Sequence, residues 1–277
     1  MSIDPLVEPQ FVFSPPLPSR EPVYREIAER SAVERSHGDA RLDLAYGPHP
    51  RERIDLFPGA SGQPLLMFVH GGYWRSQHKE NYAFVVAALR RLGLSVALVG
   101  YPLAPERPLS EIVNSLQAAF EWLHGPGRLQ LPAFDATVVA GHSAGGHLAA
   151  MLASDPVLGP RIAGCVALSG LFDLAPLLRT SIGQKVRLDA DQARALSPLQ
   201  LAPGPGWLVA AFGAEETAPF RDQAMQYAAR WAAGGGSACT LQVVAADHYS
   251  ILREMMDERS ATLRLLRTRI APAEVGA

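Results

Sequence analysis

An α/β fold built on a mostly parallel, doubly wound sheet is what this sequence predicts, and three observations predict it. Short runs that are apolar throughout recur along the chain, and longer stretches with apolar residues at helical spacing separate them. One apolar run, Thr137-Val138-Val139-Ala140, leads directly into Gly141-His142-Ser143-Ala144-Gly145 and then into a further helical stretch. Strands covered on both faces need no polar alternation, and parallel neighbours need a crossover helix, so the alternation of the two patterns specifies repeated strand, helix, strand units.

The elements follow in order. The opening segment to about Pro22 contains Pro15-Pro16-Leu17-Pro18 and is expected to hold neither a regular helix nor a central strand, so residues 1–40 read as a proline-rich arm packed on the domain. From Arg41 the pattern alternates: Leu42, Leu44 and Tyr46, then Ile54, Leu56 and Phe57 beyond Gly47-Pro48, which predicts an antiparallel pair of edge strands. The apolar runs then come at Leu65–Val69, Val96–Val99, Thr137–Ala140, Cys165–Leu168, Trp207–Phe212 and Leu241–Val244. Helices are expected at Asn81–Leu92, closed by Gly93, and at Leu109–His124, closed by Gly125-Pro126-Gly127. The stretch 173–205 breaks the rhythm, carries one short helix at Asp189–Leu196, and is expected to form a small cap over the site within a catalytic domain spanning 41–277.

Composition narrows the function. The chain has 277 residues, 48% of them hydrophobic, enough for one substantial core. Its 25 basic and 27 acidic residues leave a net charge of −2 with no long run of one sign, which argues against nucleic acid or an anionic membrane as partner. The start, Met1-Ser2-Ile3-Asp4-Pro5, lacks a basic region followed by an apolar stretch, and no apolar run approaches the roughly 18 residues of a membrane span, so a soluble, cytoplasmic chain is expected. Two cysteines, Cys165 and Cys239, make no disulfide framework and no C-x-x-C metal site. The sequence does not fix oligomeric state and leaves a homodimer open.

The chemistry is concentrated in four places. A serine between glycines on a strand-to-helix turn matches a nucleophile elbow, in which the hydroxyl of Ser143 is projected from the sheet by a strained backbone; the alternative is a plain glycine-rich loop. His70-Gly71-Gly72-Tyr73-Trp74 follows the strand Leu65–Val69, where the N–H groups of Gly71 or Gly72, with that of Ala144, would face a developing oxyanion. His70 itself reads as a structural histidine. Asp247-His248-Tyr249 comes after the last apolar run, which is the place for the general base, and an acid should follow the strand before it, leaving Glu215 and Glu216 with Asp222 and Asp247 as weaker candidates. No H-x-x-H or H-x-H-x-D spacing lies near these residues, so the site calls for no metal and no organic cofactor. Tyr73 and Trp74 are candidates for an aromatic pocket wall, and Ser76 and His78 for polar contacts, although packing and solvated loop positions are their ordinary roles.

Taken together, His70 to Trp74, Gly141-His142-Ser143-Ala144-Gly145-Gly146-His147-Leu148-Ala149, Ser169-Gly170-Leu171-Phe172-Asp173-Leu174 with Pro176-Leu177, and Asp247-His248-Tyr249 resemble the serine-dependent kynurenine formamidases (arylformamidases). These are relatives of the hormone-sensitive-lipase-like carboxylesterases, whose loop Tyr101-Pro102-Leu103-Ala104-Pro105-Glu106 also resembles, and the likeness runs from about Leu65 to Leu252. The resemblance implies an α/β-hydrolase fold and acyl transfer through Ser143 and His248 on a small amide or ester. It also selects Glu216 as the acid, counted from Gly213 and Phe220, at a place where many members carry aspartate. A carboxylesterase on short acyl esters is the alternative within the fold, and a non-catalytic binding protein the alternative outside enzymes.

Overall fold

The computed structural model describes residues 2–271 of the 277. Among them, eight strands form one sheet: β1 (Arg41–Ala45), β2 (Arg53–Phe57), β3 (Leu65–Val69), β4 (Ser95–Val99), β5 (Thr137–His142), β6 (Gly164–Leu168), β7 (Trp207–Gly213) and β8 (Ala238–Val243). Their order is β1-β2-β4-β3-β5-β6-β7-β8. β1 and β2 pair antiparallel, as does β2 with β4, and every later neighbour is parallel. Each apolar run named above is thus a strand, and the two alternating runs are the edge hairpin. β3 to β6 are buried along their whole length, while β1 and β8, at the margins, show alternating exposure.

The two faces separate by the two-residue period of a strand. Leu65, Met67 and Val69 of β3, with Cys165 and Ala167 of β6, enter one core; Leu66 and Phe68, with Val166 and Leu168, enter the other. The first core is closed by α4 (Leu109–His124), α5 (Ala144–Ala153) and α8 (Ala218–Ala233), and the second by α2 (Arg20–Arg35), α3 (Val86–Arg91) and α9 (Ala261–Ile270). The predicted helix at 81–92 begins as a 3₁₀ stretch, Lys79–Val85, before α3. One reason is visible: the N–H of Phe84 is diverted out of the helical ladder to Ser31 Oγ on α2, at 3.0 Å.

The N-terminal arm corrects the expectation drawn from its prolines. It holds a helical turn, α1 (Glu8–Phe11), and the 16-residue α2 within residues 1–40. Pro9 and Pro22 both fall in the first turn of their helix, where the backbone N–H has no intrahelical acceptor and its loss costs little. α2 then buries Val23 and Ile27 one turn apart in the second core. Residues 173–205 carry α6 (Ser181–Lys185) and α7 (Ala190–Ala195) with short 3₁₀ turns; the side chains of Thr180 and Asp189 cap the two helices. The last six residues of the range assigned to the catalytic domain lie outside the described ones.

A buried charge cluster fixes the hairpin edge. Asp55 on β2, without solvent exposure, accepts from Lys79 Nζ at 2.7 Å and from Arg35 at the end of α2, and Lys79 also reaches Asp43 and Glu80. Replacing Ile27 by Ala, which removes most of a fully buried side chain between α2 and the sheet, is expected to lower the unfolding free energy by about 2–5 kcal/mol. Chemical denaturation checks this; a loss below about 0.5 kcal/mol, the size of an ordinary surface substitution, would show that α2 is not docked as described.

Candidate active site

The parallel strands end together. Val69 of β3 lies opposite Gly141 of β5, and His142 opposite Leu168 of β6, so the loops after β3, β5, β7 and β8 emerge at one carboxyl edge, where doubly wound sheets place their sites. Each loop delivers one of the residues singled out above.

Ser143 follows β5 directly and caps α5 in a left-handed conformation, φ 57° and ψ −122°. For a residue with a Cβ this is strained by about 1–3 kcal/mol and must be held from outside. The Ser143 N–H donates to Leu168 O at 2.8 Å, and its carbonyl accepts from His147 N–H at 3.0 Å, starting α5. The helix comes so close to β3 that a Cβ on Gly145 would lie 2.1 Å from Val69 O, and one on Gly141 would lie 2.2 Å from Gly145 O. Both glycines are therefore obligatory for this turn. Ala144, first in α5, has an N–H with no acceptor inside the helix, at the positive end of the helix dipole.

His248 completes the contact. Its Nε2 lies 2.9 Å from Ser143 Oγ and its Nδ1 lies 2.6 Å from Glu216 Oε1. Because a carboxylate only accepts, Nδ1 carries the proton and Nε2 offers its lone pair to the serine hydroxyl. The second oxygen of Glu216 accepts the Gly213 N–H at 3.0 Å, which locks the carboxylate to the end of β7. The adjacent glutamates are thus separated by geometry: Glu216 is buried on the imidazole and Glu215 is exposed. Asp222 is exposed, and Asp247 turns to Ser19 Oγ and Ser250.

The loop after β3 is pinned through its carbonyls. Tyr101 OH donates to His70 O at 2.8 Å, and His70 Nδ1–H donates to Gly71 O at 2.8 Å. In a trans peptide the N–H points opposite to the C=O, so fixing these two carbonyls also fixes the N–H groups of Gly71 and Gly72. Gly71 stands against the serine, since a Cβ there would be 3.3 Å from Ser143 Cβ, and Gly72 needs its φ of +105°. His70 stacks on Tyr101 with ring centroids 4.2 Å apart. Burial pushes its pKa down to about 3, so it is a neutral brace with its Nε2 bare.

Tyr73 and Trp74 part company. Trp74 has no exposed surface and donates its indole N–H to His147 Nδ1 at 3.1 Å, so it packs behind the loop and is no pocket wall. Tyr73 is partly open and donates its hydroxyl to Phe11 O of the arm at 2.5 Å. Ser76 and His78 are exposed; Ser76 Oγ donates to Gly72 O and His78 lies beside Arg51.

Three further residues are given no role by the sequence. Tyr101, quoted above only as part of a similar loop, braces the glycines. His142 donates Nε2–H to the backbone carbonyl of His248 at 2.7 Å, tying His248 to the elbow. Phe13 of the arm lies on the His248 ring, with centroids 5.5 Å apart; the arm, and not the segment 173–205, supplies this ring. That segment meets the site's far side through Leu196 O, which accepts from His147 Nε2.

Among the described residues, no group of three or more His, Cys, Asp or Glu is placed to hold a metal, and no helix is long and apolar enough to cross a membrane.

The chain belongs to the α/β-hydrolase fold family, whose model matches residues 66–251. It is similar to the kynurenine formamidase of Danio rerio, 27% identical over 259 residues that cover 86% of this chain and 85% of the relative. A crystal structure from Silicibacter sp., provisionally named a thioesterase, matches with a TM-score of 0.83 at 29% identity, covering 96% of this chain and 99% of that one. The carboxylesterase EstE1, cloned from a metagenomic library, matches with a TM-score of 0.70 at 22% identity over 91% of this chain and 98% of that one, a likeness of fold.

His70, His142 and His147 are held neutral by burial, with pKa values lowered from 6.5 to about 3, 3 and 4. Below pH 6.5 the unfolded chain binds protons at these positions while the folded chain does not. Stability is therefore complete above that pH and falls as pH drops toward the folded values, by about 1.4 kcal/mol per unit for each histidine. Urea midpoints measured from pH 7 to pH 5 check this: a clear downward slope, shallower in His147→Gln, is expected, and a flat profile would contradict the buried neutral histidines.

Proposed function

We propose that this chain is a serine hydrolase of the arylformamidase type, which transfers a small acyl group from an amide or ester to Ser143 and then to water. The observation that carries the reading is the continuous contact from Glu216 through His248 to Ser143, set beside two glycines whose N–H directions are fixed. In this mechanism Ser143 Oγ attacks the carbonyl while its proton passes to His248 Nε2, and the carboxylate of Glu216 stabilises the imidazolium that forms. The N–H groups of Gly71, Gly72 and Ala144 receive the charge on the tetrahedral oxygen. His248 returns the proton to the leaving amine or alcohol; water then attacks the acyl-serine by the same route in reverse, releasing formate from a formamide. No step calls for a metal or organic cofactor.

The likeness to kynurenine formamidase along most of both chains supports an aryl formamide such as N-formylkynurenine as substrate. Formyl is the smallest acyl group, and it suits a site in which Ser143 and His248 are only 3% and 4% exposed. A carboxylesterase on short acyl esters is the second reading, because the same contacts serve an ester carbonyl equally well. We place the enzyme in the cytoplasm, acting on a small molecule.

Turnover of N-formylkynurenine compared with p-nitrophenyl acetate separates the two readings: formamide hydrolysis at least comparable with that of the activated ester is expected, and ester hydrolysis alone would select the second. Ser143→Ala should lower kcat by about 10⁶ without unfolding the protein, and near-normal activity would remove the mechanism altogether. Absence of labelling by a fluorophosphonate probe would point instead to a binding protein. Glu216→Gln should lower kcat by about 10⁴ with KM little changed, while Glu215→Gln, on an exposed side chain, should be mild. The reverse ranking would move the acid to Glu215.

A further inference from the structure

The aromatic pair after the glycines does not supply a wall: Trp74 is spent on His147, and the hydroxyl of Tyr73 holds the arm. Four other rings lie against the imidazole of His248, with centroids at 4.5 Å for Phe220, 4.9 Å for His142, 5.5 Å for Phe13 and 5.6 Å for Tyr249. Phe220 and His142 are buried, so of these four it is Phe13 and Tyr249 that keep surface toward solvent. Phe13 also spans two of the other three rings, 6.2 Å from both Phe220 and Tyr249.

We infer that Phe13, carried in by the N-terminal arm, is the specificity-determining residue on the leaving-group side, and that Tyr73 is the positioning residue that sets it there. The inference rests on His248 being the acid that protonates the leaving group. The leaving atom must then come within about 2.6–3.2 Å of Nε2. Whatever is bonded to that atom projects past the imidazole into the space bounded by the rings around it. An aryl group reaches Phe13 at the 4.5–7 Å centroid spacing that aromatic pairs favour, and a methyl group is too short to do so.

The arm is held for this purpose at both ends. On one side Phe11 O accepts from Tyr73 OH at 2.5 Å, and Gln10 O accepts from Thr217 Oγ1 at 2.6 Å. On the other, Ser19 Oγ donates to Asp247 Oδ2 at 2.5 Å. Tyr73 follows the oxyanion glycines and Asp247 precedes the base, so the wall and the reacting groups share their anchors. Phe11, buried against Phe220 at 5.9 Å, fixes the arm's inner edge.

The test uses the full chain and two esters with the same acyl group, phenyl acetate and methyl acetate, with active protein counted by fluorophosphonate labelling. Phe13→Ala is expected to lower the ratio of kcat/KM for phenyl over methyl ester about tenfold or more, mainly through KM for the phenyl ester. Tyr73→Phe should lower the same ratio by less, and the double variant should lose no more than Phe13→Ala, since both act on one contact. The ratio of phenyl acetate to phenyl butyrate, which reads the acyl side, should hold in all three. A phenyl to methyl ratio within twofold of wild type in labelled Phe13→Ala overturns the wall, and full additivity of the two variants overturns the positioning role. Wild-type protein that cleaves both esters but not N-formylkynurenine removes the formamidase reading alone, and the ratio still decides Phe13. Protein that cleaves neither ester nor N-formylkynurenine overturns both, and if N-formylkynurenine alone is cleaved, Phe13→Ala should raise its KM about tenfold, an unchanged KM overturning the wall.

Discussion

The approach of α5 to β3 behind Ser143 is the contact on which the rest of the site depends. With Gly145 packed on the carbonyl of Val69, the helix begins directly above the sheet edge, and Ser143 makes the turn with a positive φ. Its left-handed conformation aims the side chain out of the sheet, toward the loops after β7 and β8. The same contact places the α5 N-terminus beside Gly71, so Ser143 and the N–H groups proposed to receive the oxyanion are set by one packing event. Strain at a single residue is tolerated because two backbone hydrogen bonds and two cores hold the elements on either side of it.

Around this point the polar groups are arranged in layers. Glu216 holds His248, and Gly213 holds Glu216; Tyr101 and His70 hold the glycine loop; His142 holds the backbone of His248. The supporting imidazoles are neutral because burial penalises their charged form, so no second positive charge competes with the imidazolium proposed to form at His248. His147 extends the same support away from the site, linking Trp74 to Leu196.

Much of this is legible in the sequence, for reasons that also mark where reading stops. Strands β3 to β7 stand out because burial on both faces leaves them almost wholly apolar, and the elbow stands out because only small residues fit at Gly141 and Gly145. Glu215 and Glu216 are indistinguishable by spacing; a buried contact with an imidazole decides between them, and that contact depends on where β7 ends. Trp74 misleads because an aromatic next to a catalytic loop suits a pocket and a core equally, until its indole is seen on His147. The helices of the arm are hidden by Pro9 and Pro22, which look like breakers but sit in first turns. Phe13 carries no local signal at all, since its partners lie more than 200 residues away in the chain.

That separation has a consequence for how the molecule comes into being. The arm ties together segments that lie far apart in the chain: Gln10 with Thr217, Asp4 with Arg179, Ser19 with Asp247. During synthesis the arm's contacts with Thr217 and Asp247 can form only after β7 and β8 have left the ribosome. Closing loops this long is slow and comes after local helices and hairpins have formed. The enzyme therefore completes its reactive centre last, so nascent and half-folded chains carry the serine but not the finished enclosure around it.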